Sequence, residues 1–243
     1  MRMTTLSNRL SSVLAQWADA VGLAPQDLPP APLLDRAFAG PSPLRPGAPE
    51  ARVRAWEKAH GFPLPRSLRC WLLLSDGFYV HAPIVHPLTA IGPMIPFARV
   101  PKLVVQPESW FELGNPGDET ICMDLAYRWP GGDAPIFTSG DDRRGTLPRL
   151  IAPSFESWFL RVLGEAGREF WFDGDFVSLG DPWREHLRRA PAPELPDRLR
   201  SIAARARPFL YSDEDERSIA SHLGISRSDL EVLFRHLQHA QGA

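Results

Sequence analysis

The sequence predicts an α+β protein, and three observations support this fold class. Residues 4–21 and 65–75 carry apolar side chains at helical spacing, so amphipathic helices are expected there. Residues 80–113 instead carry short apolar runs separated by Pro and turn residues, a pattern typical of the strands of a sheet. The 26 prolines in 243 residues, about twice the usual share, favour many short elements over a helical bundle.

The first expected element is a helix over residues 4–21, in which the leucines, Trp17 and Val21 follow helical spacing. Gly22 is a suitable stop for this helix. Residues 25–49 are dense in Pro and are interpreted as an ordered wrap or a linker.

Residues 56–79 read WEKAHGFPLPRSLRCWLLLSDGFY and predict a helix end, a tight turn, a second helix and an aromatic strand. Gly61 is expected to end the first helix, because Gly readily takes the positive φ of a C-terminal cap. Pro65 can open the second helix, because proline fits the first helical turn. Asp76-Gly77 is expected to end that helix in a turn.

Three further blocks follow in the chain. Residues 118–125, DETICMDL, and residues 134–138, APIFT, are both interpreted as strands. Residues 151–163, IAPSFESWFLRVL, predict a helix, with Ser154 as the residue that caps its N-terminus.

These blocks, in this order, resemble the SUKH superfamily, the Smi/Knr-like domains. The resemblance covers roughly residues 50–163. Asp76-Gly77 stands where the family usually has Asn-Gly, a mild change because both pairs serve turns. The resemblance implies a twisted, mainly antiparallel sheet with helices packed on one side, followed here by a helical C-terminal extension. We therefore expect an N-terminal helix and Pro-rich wrap (1–49), a SUKH-like domain (50–167) and an extension with a helical hairpin (168–243).

The resemblance also implies a function. Many bacterial members of the family are non-catalytic immunity proteins that bind a cognate toxin, often a nuclease or another nucleic-acid-modifying enzyme. The expected partner is therefore a toxin protein domain. A regulatory adaptor, as among the fungal relatives, is the alternative within the same family.

A partner-binding surface is expected on the loop side of the sheet. An inhibitor of a nuclease needs acidic side chains to steer a basic active site towards it, and aromatic side chains to anchor the contact. The expected partner-binding residues are Tyr79, Trp110, Tyr127, Trp129, Asp141 and Asp142. A simpler interpretation stays open for Trp110, Trp129 and Trp183, in which they only cover the ends of loops.

The C-terminal third has its own pattern. Aromatic runs on both sides of Asp173-Gly174-Asp175 suggest a hairpin, and short helices are expected over residues 182–189 and 197–207. The final run, ERSIASHLGISRSDLEVLFRHLQ, has the spacing of a helix-turn-helix unit, so a DNA-binding regulator is a second alternative. The charges argue against DNA binding, because four acidic residues, 213–216, precede the unit and its second helix offers few basic side chains.

Composition limits the remaining classes of function. With 27 basic and 29 acidic residues the net charge is −2, so the chain has no global basic field for nucleic acid. Cys70 and Cys122 each lie in an apolar segment and are interpreted as small buried side chains of a reducing compartment, although a single disulfide stays open. The chain shows neither a signal-peptide pattern nor an apolar run of about 18 residues, so a cytoplasmic location is expected.

No local motif indicates an enzyme. His81 and His86 have no Cys or His partner at metal-ligand spacing, and the pair His236 and His239, three residues apart, could hold a metal only weakly. Neither a nucleophile elbow nor a phosphate-binding loop is present. We therefore expect no catalytic residues, no cofactor and no metal.

Overall fold

The computed structural model describes residues 4–38, 42–94, 106–130, 133–140, 146–192, 194–210, 212 and 214–242. Within these residues the fold is α+β, as predicted. The helices are α1 Thr4–Val21, α2 Ala31–Ala37, α3 Glu50–His60, α4 Arg66–Leu74, α5 Phe155–Gly164, α6 Pro182–Arg189, α7 Asp197–Ala206, α8 Glu216–Leu223 and α9 Arg227–Gly242. The strands are β1 Phe78–Tyr79, β2 Pro83–Val85, β3 Gly92–Pro93, β4 Trp110–Gly114, β5 Ile121–Asp124, β6 Ile136–Thr138 and β7 Arg149–Ala152.

The chain divides into two compact units. The first contains residues 1–94 and 109–181, and the second contains residues 95–108 and 182–243. The first unit therefore includes α1 and the segment that follows α5, in addition to the residues that resemble the SUKH superfamily.

The first unit is built on an antiparallel sheet of five strands in the order β3-β4-β5-β6-β7. Each strand pairs antiparallel with its neighbour in the chain. Strands β1 and β2 form a separate antiparallel pair. At one end of the five-stranded sheet Trp110 of β4 lies opposite Asp124 of β5, and at the other end Gly114 lies opposite Ile121.

The main core lies between one face of this sheet and the helices of the first unit. Phe111, Met123 and Ile136 are among the sheet residues that contribute to it. The helices and β1 add a cluster of aromatic rings in mostly edge-to-face contact, an arrangement that rings prefer to face-to-face stacking. This aromatic cluster contains Trp17, Trp71, Phe78, Phe155 and Phe159.

Local interactions explain the signature of residues 56–79. Gly61 ends α3 with a φ of +74°, as predicted. The Glu57 carboxylate accepts a hydrogen bond of 3.1 Å from the Leu64 amide and so closes the turn between α3 and α4. After α4, Asp76 accepts a hydrogen bond of 2.6 Å from the Leu88 amide. The Asp-Gly turn is therefore tied to a segment twelve residues further along the chain.

The start of α5 also agrees with its prediction. The Ser154 hydroxyl accepts a hydrogen bond of 3.1 Å from the Ser157 amide, so Ser154 caps the helix. The side chains of Phe155, Trp158 and Phe159 are buried, which fixes the direction of the helix against the sheet.

The predicted hairpin around Asp173-Gly174-Asp175 is wrong. Residues Phe170–Phe172 form a short 3-10 helix, because Phe170 and Trp171 are buried in the core instead of lying on an exposed strand. Beyond the turn the chain is extended and runs along β7, where the Leu150 amide donates to the Gly180 carbonyl at 2.9 Å.

The second unit has a core of its own, formed by apolar side chains of α7, α8 and α9 such as Leu199, Leu223 and Phe234. The expected helices over 182–189 and 197–207 are present as α6 and α7. Among the described residues of the whole chain, no helix is long and apolar enough to cross a membrane.

Both cysteines are free. Cys122 is buried on β5, whereas Cys70 on α4 is partly exposed. Burial, and secondarily the charge of Glu112, raises the pKa of the Cys122 thiol well above its ordinary value of 9.0. Cys122 is therefore an apolar packing group in the folded protein.

Candidate partner-binding site

Two of the expected anchor residues lie in the interior. Trp110 is 1% exposed and Tyr127 is 7% exposed. The indole N–H of Trp110 donates to the Asp124 carboxylate at 2.9 Å, and its ring lies 4.7 Å from that of Phe137. Neither side chain therefore offers a large area to a partner, and Trp110 serves as a packing group of the sheet.

Asp124 holds together the end of the sheet where Trp110 lies. Besides the indole it accepts hydrogen bonds from the Ser109 hydroxyl at 2.7 Å and from the Ala126 amide at 2.9 Å. Its side chain is buried, and these three donors replace the water that a carboxylate would otherwise bind. Asp124, the last acidic residue of the DETICMDL block, thus holds the start of β4 and the loop that follows β5 in place.

Those of the expected residues that the structure describes do not form one surface. Trp110, Tyr127 and Trp129 belong to one end of the five-stranded sheet, where the β5–β6 loop lies. Asp141 and Asp142 lie outside the described residues; Gly140 and Thr146, which precede and follow them, lie at the opposite end, between β6 and β7.

Tyr79 also lies away from Trp129. It is on β1, beyond the C-terminal end of α4, where Arg45 stacks on its ring at 4.1 Å. Asp133, whose carbonyl accepts a hydrogen bond from the Trp129 amide, instead lies at the N-terminal end of α4, where its carboxylate accepts from the Arg66 amide. The nine residues of α4 span about 13 Å at 1.5 Å per residue, so one small patch does not include both aromatic side chains.

The β5–β6 loop is instead joined to the start of α4. The Trp129 amide donates to the Asp133 carbonyl at 3.0 Å, which closes the loop on itself. The Asp133 carboxylate accepts from the Arg66 amide at 2.9 Å and pairs with Arg128 at 2.8 Å. A carboxylate is stabilised at this place, because the first amides of a helix lack partners and carry partial positive charge.

Two more carboxylates surround this point. Glu156, in the first turn of α5, interacts electrostatically with Asp133, with Asp27 and with Arg66. Burial of Glu156, then repulsion by Asp133 and Asp27, raises the pKa of its carboxyl above the ordinary value of 4.5, although Arg66 opposes the shift. We call Asp27, Asp133 and Glu156 the acidic corner. Burial and the two neighbouring acids together make ionisation of Glu156 less favourable than that of an isolated carboxyl.

Trp129 borders the acidic corner and is partly exposed. An aromatic ring beside incompletely neutralised carboxylates suits the contact of a basic protein surface, since the ring supplies area and the acids supply attraction. The acidic corner combines residues 27, 133 and 156 from three distant segments, so sequence reasoning missed it. The only sequence signals were the Gly-Gly-Asp turn and the acid that follows Phe155.

The comparison with protein families agrees with this architecture. Residues 47–161 match the model of the SMI1 / KNR4 family (SUKH-1). These residues form a SUKH-1 domain. The match confirms the predicted resemblance and covers α3, α4 and the strands that the structure describes, β1 to β7. No curated protein matches the chain.

The SUKH-1 match ends before helices α6 to α9, among which the predicted helix-turn-helix arrangement is present. Gly224 takes a φ of +70° between α8 and α9, and the Asp215 side chain caps α8. Two arginines beside these helices are paired with acids, however. Arg227 lies 2.8 Å from Glu216, and Arg198 lies 2.6 Å from Asp229. Paired guanidinium groups give little attraction for phosphate, so this arrangement does not favour DNA binding.

Metal chemistry has no support in the part of the chain that the structure describes, because no group of three or more His, Cys, Asp or Glu side chains there could hold an ion. The buried Glu119 near the other end of the SUKH-1 sheet has a structural role. It accepts from the Thr146 hydroxyl at 2.7 Å and lies 4.0 Å from the Arg149 guanidinium, so it holds the end of the β6–β7 loop.

Proposed function

We propose that the SUKH-1 domain is a non-catalytic immunity module that binds a cognate bacterial toxin and blocks it. The SUKH-1 family is generally associated with immunity proteins, which is the main support for this function. The proposed partner is a toxin domain, and the proposed site of action is the cytoplasm, where an incoming toxin would have to be neutralised.

The structural observation that supports the proposal is the acidic corner beside Trp129. Nuclease active sites are basic because they hold phosphates, so a nuclease or another nucleic-acid-modifying toxin is the partner class that this surface fits best. Asp133 is held in place by Arg66 and Arg128, which leaves Glu156 and Asp27 as the acids with the less complete compensation.

This surface replaces part of the surface expected from the sequence. Trp129 remains the proposed aromatic anchor, and Tyr127 and Trp110 support its loop from the interior. Tyr79, Asp141 and Asp142 remain candidates for a separate contact and are tested as such below.

The raised pKa of Glu156 gives the proposal a specific signature. A basic group of the toxin near Glu156 would favour the ionised carboxylate and lower its pKa. Binding would therefore release a proton at mildly acidic pH. Calorimetry in buffers with different ionisation enthalpies measures this release directly, and Glu156→Gln should abolish it.

The test of function is co-expression with the toxin encoded by a neighbouring gene. Wild-type protein should protect the cells and form a one-to-one complex with the toxin. Trp129→Ala should speed dissociation and weaken binding by about 2 kcal/mol, the size of an aromatic hot spot. Glu156→Gln should mainly slow association and reduce its dependence on salt.

Matched controls come from the second unit. Trp183→Ala removes a partly exposed tryptophan, and Glu194→Gln neutralises an exposed carboxylate. Both should bind the toxin like wild type. Protection that survives Trp129→Ala and Glu156→Gln but is lost in Tyr79→Ala or Asp141→Asn/Asp142→Asn would move the site to the other end of the domain. Absence of both protection and a complex would refute immunity and favour the regulatory adaptor.

A further inference from the structure

The second unit carries a groove along helix α8, outside the residues that match the SUKH-1 family. The groove extends from Asp215, which caps α8, across the turn after that helix to Arg227 at the start of α9. We call it the α8 groove. Its volume is about 700 Å³, which lies within the range of about 300–1,000 Å³ that is usual for small-molecule sites.

The floor of the α8 groove is apolar. Ala220 lines the groove and is 6% exposed, because its side chain belongs to the core of the second unit. Ile225 also lines the groove and packs against the same core. Since the core holds both side chains in place, the floor is preformed, and an apolar group that covers it would be removed from water.

The rim of the α8 groove is charged, and most of its charges are already engaged. The Asp215 carboxylate accepts hydrogen bonds of 3.0 Å from the Arg217 and Ser218 amides and one of 2.7 Å from the Ser218 hydroxyl. Glu216 lies 2.8 Å from the Arg227 guanidinium. These contacts leave neither acid in need of a cation from outside the protein.

The Arg217 guanidinium is the exception on this rim. It is exposed and interacts electrostatically with Asp215, but within the described part of the chain it neither donates a hydrogen bond nor forms a close ion pair. Ser221 stands one helical turn further along α8, on the same side as Arg217, and is also exposed. The guanidinium and the hydroxyl are therefore the polar groups of the groove that a ligand can reach.

These groups determine the chemistry of a ligand. A guanidinium binds a carboxylate through two parallel hydrogen bonds, and a neighbouring hydroxyl can donate another. The floor favours a hydrocarbon group beside that carboxylate. A polyanion such as nucleic acid does not fit, because the two acids and two arginines of the lining give no net positive charge.

We propose that the α8 groove binds a small organic molecule with one carboxylate and one apolar group. The carboxylate would lie against Arg217 and Ser221, and the apolar group would cover Ala220 and Ile225. This inference does not rest on the proposed immunity function, since the groove lies in the second unit and the acidic corner belongs to the first.

Phenylacetate is the probe for this site, because it joins a carboxylate to an aromatic ring through a single carbon. Two-dimensional NMR of the full-length protein should show saturable shifts of the Ala220, Ser221 and Ile225 amides as phenylacetate is added. Acetate, which lacks the ring, and phenylacetamide, which lacks the charge, should each bind about tenfold more weakly.

Variants of the protein test the roles of the lining residues. Arg217→Gln should weaken binding of phenylacetate about tenfold and leave binding of phenylacetamide unchanged. Ser221→Phe, which places a ring over the floor, should abolish binding of both. The matched control is Arg205→Gln, which removes an exposed arginine of α7 outside the groove and should bind like wild type. All three positions are exposed, so circular dichroism should show the wild-type fold.

Three outcomes would overturn the proposal. The first is that phenylacetate causes no saturable shift of the groove amides. The second is that phenylacetamide binds as tightly as phenylacetate, because the charge would then have no role. The third is that Arg205→Gln loses as much affinity as Arg217→Gln, because the carboxylate would then be attracted by exposed arginines in general.

Discussion

The hydrogen bond between Trp110 and Asp124 allows a direct test of what holds the SUKH-1 sheet together. Asp124→Asn keeps the shape of the side chain but replaces one acceptor oxygen by a donor. The Ser109 hydroxyl and the Ala126 amide both bind one oxygen, Oδ1, which the asparagine carbonyl can replace. The amide nitrogen then faces the indole N–H, which loses its acceptor in a buried place.

The expected magnitude follows from that loss. An unsatisfied buried donor costs about 1–3 kcal/mol, and hydrogen bonds to charged groups lie at the upper end of the range. We expect Asp124→Asn to lower the free energy of unfolding by about 2–3 kcal/mol. The melting temperature should fall by roughly 4–12 °C, since each kcal/mol shifts it by about 2–4 °C in a chain of this size.

A double-mutant cycle measured by urea unfolding separates the indole bond from other effects. Trp110→Phe removes the donor, so it should be less destabilising in the Asp124→Asn background than in wild type, with a coupling of about 1–2 kcal/mol. Asp175→Asn, an exposed position, is the control and should change stability by less than about 0.5 kcal/mol. If the Asp124 and Trp110 changes are additive, or if Asp124→Asn melts like wild type, the reasoning is wrong.

Three other predictions follow from single positions. Gly61→Val should lower the free energy of unfolding by about 1–3 kcal/mol, because the backbone φ of +74° is strained for a β-branched residue, although space for the side chain is open. Asparagine tolerates this φ better, so Gly61→Asn should lose less stability in the same urea titration. Glu156→Gln should be more stable than wild type at neutral pH. The pKa of Glu156 is raised in the folded state, so wild-type stability falls as pH rises from the ordinary value of 4.5 through the raised pKa. Thermal melts at several pH values should show that the gain of the variant disappears in acid, and an equal gain at all pH values would contradict this. Cys122 should resist iodoacetamide in the folded protein, since burial raises the pKa of its thiol. Mass spectrometry should find it modified only in denaturant. Fast modification of Cys122 without denaturant would contradict its burial on β5.

The parts of the fold that could be predicted are those determined by interactions between residues close together in the sequence. The end of α3 at Gly61 depends on one backbone conformation that glycine adopts readily, and the start of α5 depends on one serine cap. The core positions of Trp17, Trp71 and Trp158 follow from helical spacing, and all three are buried. Each of these features is determined within a few residues, so the sequence alone was sufficient.

The partner-binding surface could not be predicted in the same way. Trp110 stands beside turn residues in the sequence, yet it is buried because Asp124 and Phe137 approach it from neighbouring strands. The predicted hairpin failed for a related reason, since burial of Phe170 and Trp171 in the core outweighs the tendency of an Asp-Gly turn to join two strands.

By itself, the sequence determined the α+β class, the family and the boundaries of most helices, because periodicity, capping and turn residues act over one or two turns of chain. Only the tertiary structure decided which charged and aromatic groups share a surface. Glu156 of α5 interacts with Asp27, Asp133 and Arg66, which come from three other segments, whereas Tyr79 lies beyond the opposite end of α4 from the residue that bonds to Trp129. Electrostatic interaction depends on distance in space, and the packing of distant segments sets that distance.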